Sequence, residues 1–185
     1  PFAEDTTNAS YDAAAVHTFW RQLLSAARVF EEFRGSFGGK QSPVQLFWGS
    51  FDLSQVRFSG RPAPAWEGTL PPACPHYVMQ EAEGMENSSA GFWCGDGTGE
   101  GSFYAYASPA PKGYSEGDLS PAAYSTEAGE WLLPYETVRT SADPDATLLA
   151  FLNGTYAKAA DLAHWDRATL DLDPNRLEGK IHPQF

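Results

Sequence analysis

The chain has few aliphatic residues and no long apolar run. Among its 185 residues isoleucine occurs once and valine six times, and the net charge is -12. Such a composition usually indicates disorder. Here 14% of the residues are aromatic, and each buried ring removes about 150 to 250 Å² of surface from water. We therefore expect a folded domain with an aromatic core, and no segment approaches the ~20 apolar residues that cross a bilayer.

Basic residues are also scarce, with 12 Lys and Arg against 24 Asp and Glu. Affinity for nucleic acid depends largely on basic side chains that displace counterions from phosphates. Attraction to an anionic membrane surface depends on the same residues. The composition therefore predicts neither a nucleic-acid partner nor a membrane partner, and we expect a soluble cytoplasmic protein.

Only two cysteines are present, Cys74 and Cys94, so at most one disulfide can form. A domain of this size does not need one for stability, which favours reduced or buried thiols but leaves their redox state open. The four histidines show no spacing typical of metal ligands. The sequence therefore predicts no metal site, and no motif indicates a cofactor.

The spacing of apolar residues predicts two amphipathic helices at the ends of a set of short strands. One helix is expected over residues 12–33, capped by Asp12, and the other over residues 143–164, beginning at Asp143-Pro144. Runs with a period of two predict strands at 44–48, 51–58, 77–82, 89–93, 102–107, 122–126 and 130–135. This order is typical of an α+β fold, an antiparallel sheet of about five to seven strands packed against an N-terminal and a C-terminal helix.

The ends of the chain differ from its middle. We expect a single α+β domain over residues 1–175, and the start at Pro1 without a methionine is typical of a processed or trimmed terminus. Residues 176–185 are expected to form a tail. Its last four residues, His-Pro-Gln-Phe, resemble a streptavidin-binding purification tag, so a native and a cloning origin both remain open.

The most distinctive local feature is a group of charges among aromatic residues. Asp52 directly follows the run Phe47-Trp48-Gly49-Ser50-Phe51, and Arg57 and Arg61 belong to the next segment, residues 57–62. Because an unpaired buried charge is costly, these groups must form a structural pair or face a wet pocket. Both alternatives remain open. In the second, the candidate residues for an anionic small molecule are Trp48, Asp52, Arg57, Arg61, Glu86, Trp93 and His17.

Five segments carry a resemblance to a known family: residues 43–53 (PVQLFWGSFDL), 57–62 (RFSGRP), 91–93 (GFW), 103–106 (FYAY) and 132–135 (LLPY). Together they resemble an uncharacterised bacterial family, the domain of unknown function numbered 5996, from about residue 1 to residue 170. The resemblance implies no activity, since none is established for the family. Members of that family are typically longer, so this chain is similar to their C-terminal part. The resemblance therefore implies that residues 1–175 are the C-terminal half of a longer protein, which agrees with the start at Pro1.

Two departures from the family pattern affect the candidate chemistry. Family members tend to have histidine where this chain has Gln45 and Met85. Imidazole is the common side chain for metal ligation and for proton transfer near neutral pH. A histidine-dependent site in the family would therefore be lost here, although His17, Asp52 and the two arginines still fit the pattern.

Two functions follow from these observations, and neither is excluded. The first is a non-catalytic domain whose aromatic face packs on a missing N-terminal half or on a second copy. The second is a small-molecule binding protein or an enzyme, with an aromatic cleft lined by Arg and Asp for an anionic ligand. Whether the chain is an enzyme stays open.

Overall fold

The computed structural model describes residues 3–7, 10–70, 74–95 and 100–172. Within these ranges an antiparallel sheet of six strands is combined with five helices, which confirms the predicted α+β class. The strands are β1 (Gln45–Phe47), β2 (Asp52–Pro62), β3 (Met85–Trp93), β4 (Ser102–Ser108), β5 (Ala123–Ser125) and β6 (Glu130–Pro134). The helices are α1 (Ala13–Gly35), α2 (His76–Ala82), α3 (Tyr135–Arg139), α4 (Pro144–Leu162) and α5 (Arg167–Leu170).

The two predicted long helices are present, and their ends follow the expected capping chemistry. Asp12 precedes α1 and accepts hydrogen bonds from the backbone N–H groups of Ala14 and Ala15. Asp143 precedes α4 and accepts from the N–H of Ala146, with Pro144 in the first turn. These caps satisfy N–H groups that have no partner inside the helix.

The strand order is β1-β2-β3-β4-β6-β5, and every neighbouring pair is antiparallel. A hairpin turn at Glu127-Ala128-Gly129 joins β5 to β6, with Gly129 at a φ of 75°. Both α1 and α4 contact the sheet, α1 over β2 and α4 over β3 and β4. We call the side they cover the helix face and the opposite side the far face.

Side-chain alternation assigns each strand residue to one of these faces. The helix face carries an aromatic and aliphatic core that is buried under the two helices. Leu53, Phe92, Phe103 and Leu133 are paired across four strands and are among its buried members. The far face carries the alternate residues of the same strands. These are more polar and include Asp52, Ser54, Ser89 and Tyr104.

One predicted strand is wrong. Residues 77–82 lie in α2, a helix of seven residues that begins after Pro75. Its second half, Met79 to Ala82, consists of good helix formers, and this outweighs the strand preference of Tyr77 and Val78. No residue of α2 is buried, so packing against the sheet does not impose an extended conformation on it.

Three further expectations concern membrane-spanning helices, the two cysteines and the C-terminal tail. No helix in the described ranges is long and apolar enough to cross a membrane. Cys74 and Cys94 are both free thiols. The predicted tail, residues 176–185, lies outside the described residues.

Candidate functional site

A pocket lies on the far face where β2, β3, β4 and β6 run side by side. Its volume is about 200 Å³. The register creates it: Asp52 is paired with Trp93, and Trp93 with Ser102, while Tyr104 of β4 is paired with Leu132 of β6. We call it the Asp52 pocket; its lining is Ser50, Asp52, Trp93, Ser102, Tyr104, Glu130 and Leu132.

Asp52 is the buried charge of this pocket, with 9% of its surface exposed. The hydroxyl of Tyr104 donates to its Oδ2, and the hydroxyl of Ser50 donates to its Oδ1. Asp52 forms no ion pair with any basic group of the described residues. Its charge is therefore held by two neutral hydroxyl groups and by nothing of opposite sign.

The Tyr104 ring reaches Asp52 because Gly91 leaves room for it. A Cβ atom at position 91 would lie 2.2 Å from Cζ of Tyr104 and 2.4 Å from the carbonyl oxygen of Leu53. Such distances are far below van der Waals contact. Position 91 must therefore be glycine if Tyr104 is to lie flat across β3 towards β2.

The pocket is electrostatically negative. Burial, together with the nearby charge of Asp52, raises the pKa of Glu130 above its usual range. Burial and the hydrogen bond to Asp52 raise the pKa of Tyr104 well above that of a free tyrosine, so Tyr104 stays protonated and remains a donor. Among the described residues, no Lys, Arg or His is present in the lining. Within the described ranges, no group of three or more His, Cys, Asp or Glu side chains is placed to hold a metal ion.

The structure does not bring Arg57 to Asp52, although the sequence suggested that they meet. The two residues point to opposite faces of β2, because they are five positions apart on a strand with a period of two. Arg57 is 1% exposed on the helix face, and its guanidinium carbon lies 3.4 Å from the ring centre of Phe33 and 4.4 Å from that of Tyr156.

The polar contacts of Arg57 lie at the C-terminal end of helix α1. Its Nη2 donates to the carbonyl of Phe33 and to Oγ of Ser36 at 3.1 Å. Burial lowers the pKa of Arg57 to about 10, so the side chain remains charged at neutral pH. A cation at a helix C-terminus interacts favourably with the free carbonyl groups there. Arg57 thus joins β2 to the last turn of α1.

Arg61 has a similar role at the end of α4. Its Nε and Nη2 donate to Oε2 of Glu86 at 2.8 and 2.6 Å. Its Nη2 and Nη1 also donate to the carbonyls of Ala163 and His164, just after α4, at 2.6 and 3.1 Å. Arg61 and Glu86 therefore lie together, but apart from Asp52, and their polar atoms are used within the fold.

The remaining candidates are on the surface. Trp48, in the turn between β1 and β2, is 84% exposed, and His17 is an exposed residue of α1. Of the seven candidates, the structure brings Asp52 and Trp93 into one pocket. The sequence interpretation missed Ser50, Tyr104 and Glu130. Tyr104 had a usable signal, since the alternation of residues 103–106 places both tyrosines on the face opposite Phe103.

A second surface feature lies beside α1. Val16, Trp20 and Leu24, spaced four apart, form an exposed apolar row on this helix. Arg28, four residues further along the same row, forms an ion pair with Asp145. At its other end the row lies near the β1–β2 connection, because the ring of Phe19, the neighbour of Trp20, is 6.2 Å from the ring of Phe51. We call this row, together with exposed apolar residues of β1 and of the β1–β2 connection, the α1–β1 face; its members are Val16, Trp20, Leu24, Leu46, Trp48 and Phe51.

Comparison with known proteins gives one match. The profile of the family of unknown function DUF5996 matches residues 1–172. The chain therefore belongs to this family. No curated protein and no solved structure matches it.

Proposed function

We propose that this chain is a non-catalytic domain that associates with a second copy of itself through the α1–β1 face. The observation that carries the proposal is the exposure of large apolar side chains on adjacent elements. Trp48 is 84% exposed and Trp20 57% exposed. Soluble monomers rarely expose large contiguous apolar patches, and such patches commonly mark interaction sites.

The two halves of the face are joined by a ring contact. Phe19, on the core side of α1, lies 6.2 Å from the ring of Phe51 in the β1–β2 connection. The exposed rings of this face supply on the order of 400 Å² of surface, against about 800 Å² per partner in a standard interface. The aromatic residues can therefore form the centre of an interface, with a more polar rim around them.

Charge favours a second copy as the occupant. Two chains with a net charge of -12 repel each other unless they meet where acidic groups are few. Residues 13–30 and 41–51, which form most of this face, contain no Asp or Glu. Two copies can therefore approach here with little direct repulsion between carboxylates.

The edge strand supplies a self-complementary element. β1 is at one end of the sheet order, so its outer backbone groups have no strand partner in the described part of the chain. Antiparallel pairing of two such edges is compatible with a twofold axis, which places the same residues on both sides. The apolar row of α1 would then pack beside the paired edges.

Sedimentation equilibrium from micromolar to near-millimolar protein tests the proposal. We expect a reversible dimer, and we expect Trp20→Glu and Trp48→Glu each to raise its dissociation constant at least about tenfold. The control is Tyr77→Glu, which changes an aromatic residue that is 68% exposed on α2, outside the face; it should leave the dimer unchanged.

A chain that stays monomeric at every concentration would contradict the proposal. So would a dimer that tolerates both tryptophan substitutions. If a longer natural polypeptide is monomeric and buries Trp20 and Trp48 against a preceding segment, the occupant is that segment and not a second copy.

A further inference from the structure

The Asp52 pocket is built before any ligand arrives. Asp52 is fixed by two donors, Tyr104 and Ser50, and Tyr104 is fixed by the space that Gly91 leaves. The hydrogen bonds hold the carboxylate in one orientation, so little side-chain freedom remains to be lost on binding. A buried charge held in this way beside a cavity is typical of a binding site.

The sign of the charge determines the ligand class. Two acidic side chains, Asp52 and Glu130, line the pocket, and no basic residue of the described part of the chain does. A carboxylate taken out of water needs compensation from a charge of opposite sign or from several donors. The two hydroxyl donors leave lone pairs of the carboxylate free. A bound ammonium group can donate to them.

The rest of the lining sets the shape of the ligand. Trp93 and Leu132 provide apolar surface, and a tryptophan ring attracts a cation placed over it. The volume of about 200 Å³ is below the ~300 to 1,000 Å³ of pockets that hold drug-sized molecules. The ligand must therefore be small, with one charged end and one flat or apolar end.

We propose that the Asp52 pocket binds a small organic cation, an ammonium group attached to a compact apolar body. Asp52 accepts hydrogen bonds from the ammonium group, Glu130 adds a second negative charge, and Trp93 packs against the apolar part. This site is separate from the proposed association through the α1–β1 face, and each can fail without the other.

Isothermal titration calorimetry with three small aromatic probes tests the site. The probes are benzylammonium, benzyl alcohol and phenylacetate, which share one ring and carry a positive, zero and negative charge. We expect saturable binding of benzylammonium at one site per chain, and binding at least about tenfold weaker for the other two. Saturable binding of phenylacetate would overturn the proposal and favour an anionic ligand. Saturable binding of Ca²⁺ in place of benzylammonium would overturn it in favour of a metal.

Single substitutions test whether benzylammonium binds in the Asp52 pocket. Asp52→Asn should weaken benzylammonium binding at least about tenfold, because the buried negative charge is removed. Glu127→Gln is the matched control, since it changes the net charge equally at an exposed residue outside the pocket, and it should bind as the unmodified chain does. Equal binding by Asp52→Asn and Glu127→Gln would overturn the proposal. If Asp52→Asn does not fold, Glu130→Gln replaces it, with several-fold weaker binding expected and unchanged binding as the contradicting result.

Discussion

Strand β2 buries one charged side chain on each face, and the surroundings of the two differ. On the helix face, Arg57 is enclosed by the rings of Phe33, Phe37 and Tyr156 and donates to the carbonyl that ends α1. On the far face, Asp52 accepts from two hydroxyls and borders a cavity. Both are at least nine-tenths buried, so burial alone does not distinguish them.

The difference lies in the space around each charge, since the hydrogen-bond partners of both are neutral groups. Arg57 is enclosed by buried rings and by the last turn of α1, so its side chain holds helix against sheet. Asp52 borders a cavity. A charge enclosed by the core contributes to stability, whereas a charge that borders a cavity is available to a ligand. The predictions below test this distinction, starting with the largest expected effect.

Arg57→Ala should lower the free energy of unfolding by about 3 to 5 kcal/mol, because it opens a cavity among three rings and leaves the Phe33 carbonyl without its donor. Arg28→Ala is the control. Arg28 forms an exposed ion pair with Asp145, and such exposed pairs contribute little to stability. Urea unfolding of both variants measures the difference. Equal losses would mean that Arg57 has no special role in the core.

Gly91→Ala should cost about 1 to 3 kcal/mol, since the added methyl group overlaps the Tyr104 ring and the Leu53 carbonyl. Gly49→Ala is the matched control, because a Cβ there meets no atom within 4 Å. Thermal unfolding compares the two. The far face is tightly packed around Tyr104 only if Gly91→Ala is clearly the more destabilising substitution.

Asp52→Asn should change the unfolding free energy by less than about 1 kcal/mol, because asparagine has the same shape, keeps partners for both hydroxyls and removes a buried charge. Asp171→Asn provides the contrast. Asp171 also accepts from a tyrosine hydroxyl, that of Tyr156, but it has a cationic partner in Arg167 at 2.8 Å. Its replacement should cost roughly 1 to 2 kcal/mol. If Asp52→Asn is the more destabilising of the two, Asp52 has a structural role.

Much of the fold was predictable because the long elements have a clear period. Helices α1 and α4 have apolar stripes and capping aspartates, and the β5–β6 hairpin has a turn that ends in Gly129. The failure at α2 has a physical reason. A seven-residue exposed segment has no buried face to give it a period, so local propensity and Pro75 decide its structure.

The candidate site was less predictable because it depends on register between strands. The sequence singled out Asp52 and Trp93, which are paired directly across β2 and β3. It also placed Arg57 with Asp52, an error that strand parity would have prevented. Glu130 is far from Asp52 in sequence, and it reaches the same pocket only because β6 pairs with β4 and not with β5 alone. No local pattern contains that information.

The smallest expected effect is a pH dependence of stability that comes from Glu130, a residue of the far face. The pKa of Glu130 is raised by burial and by Asp52, so the native state holds this proton more tightly than the unfolded chain does. As pH rises from about 4.5 to about 7, the unfolded chain releases the proton first, and this residue's contribution to stability decreases. The decrease should be about 0.5 kcal/mol or less, because Glu130 is only half-buried and water screens its interaction with Asp52.

Glu130→Gln should remove this decrease in stability. The difference in melting temperature, variant minus unmodified chain, should therefore rise across this pH interval. The exposed carboxylates with lowered pKa values, Asp118, Glu136 and Asp145, are present in both proteins and cancel in the difference. A difference that stays constant with pH would show that the native state does not raise the pKa of Glu130.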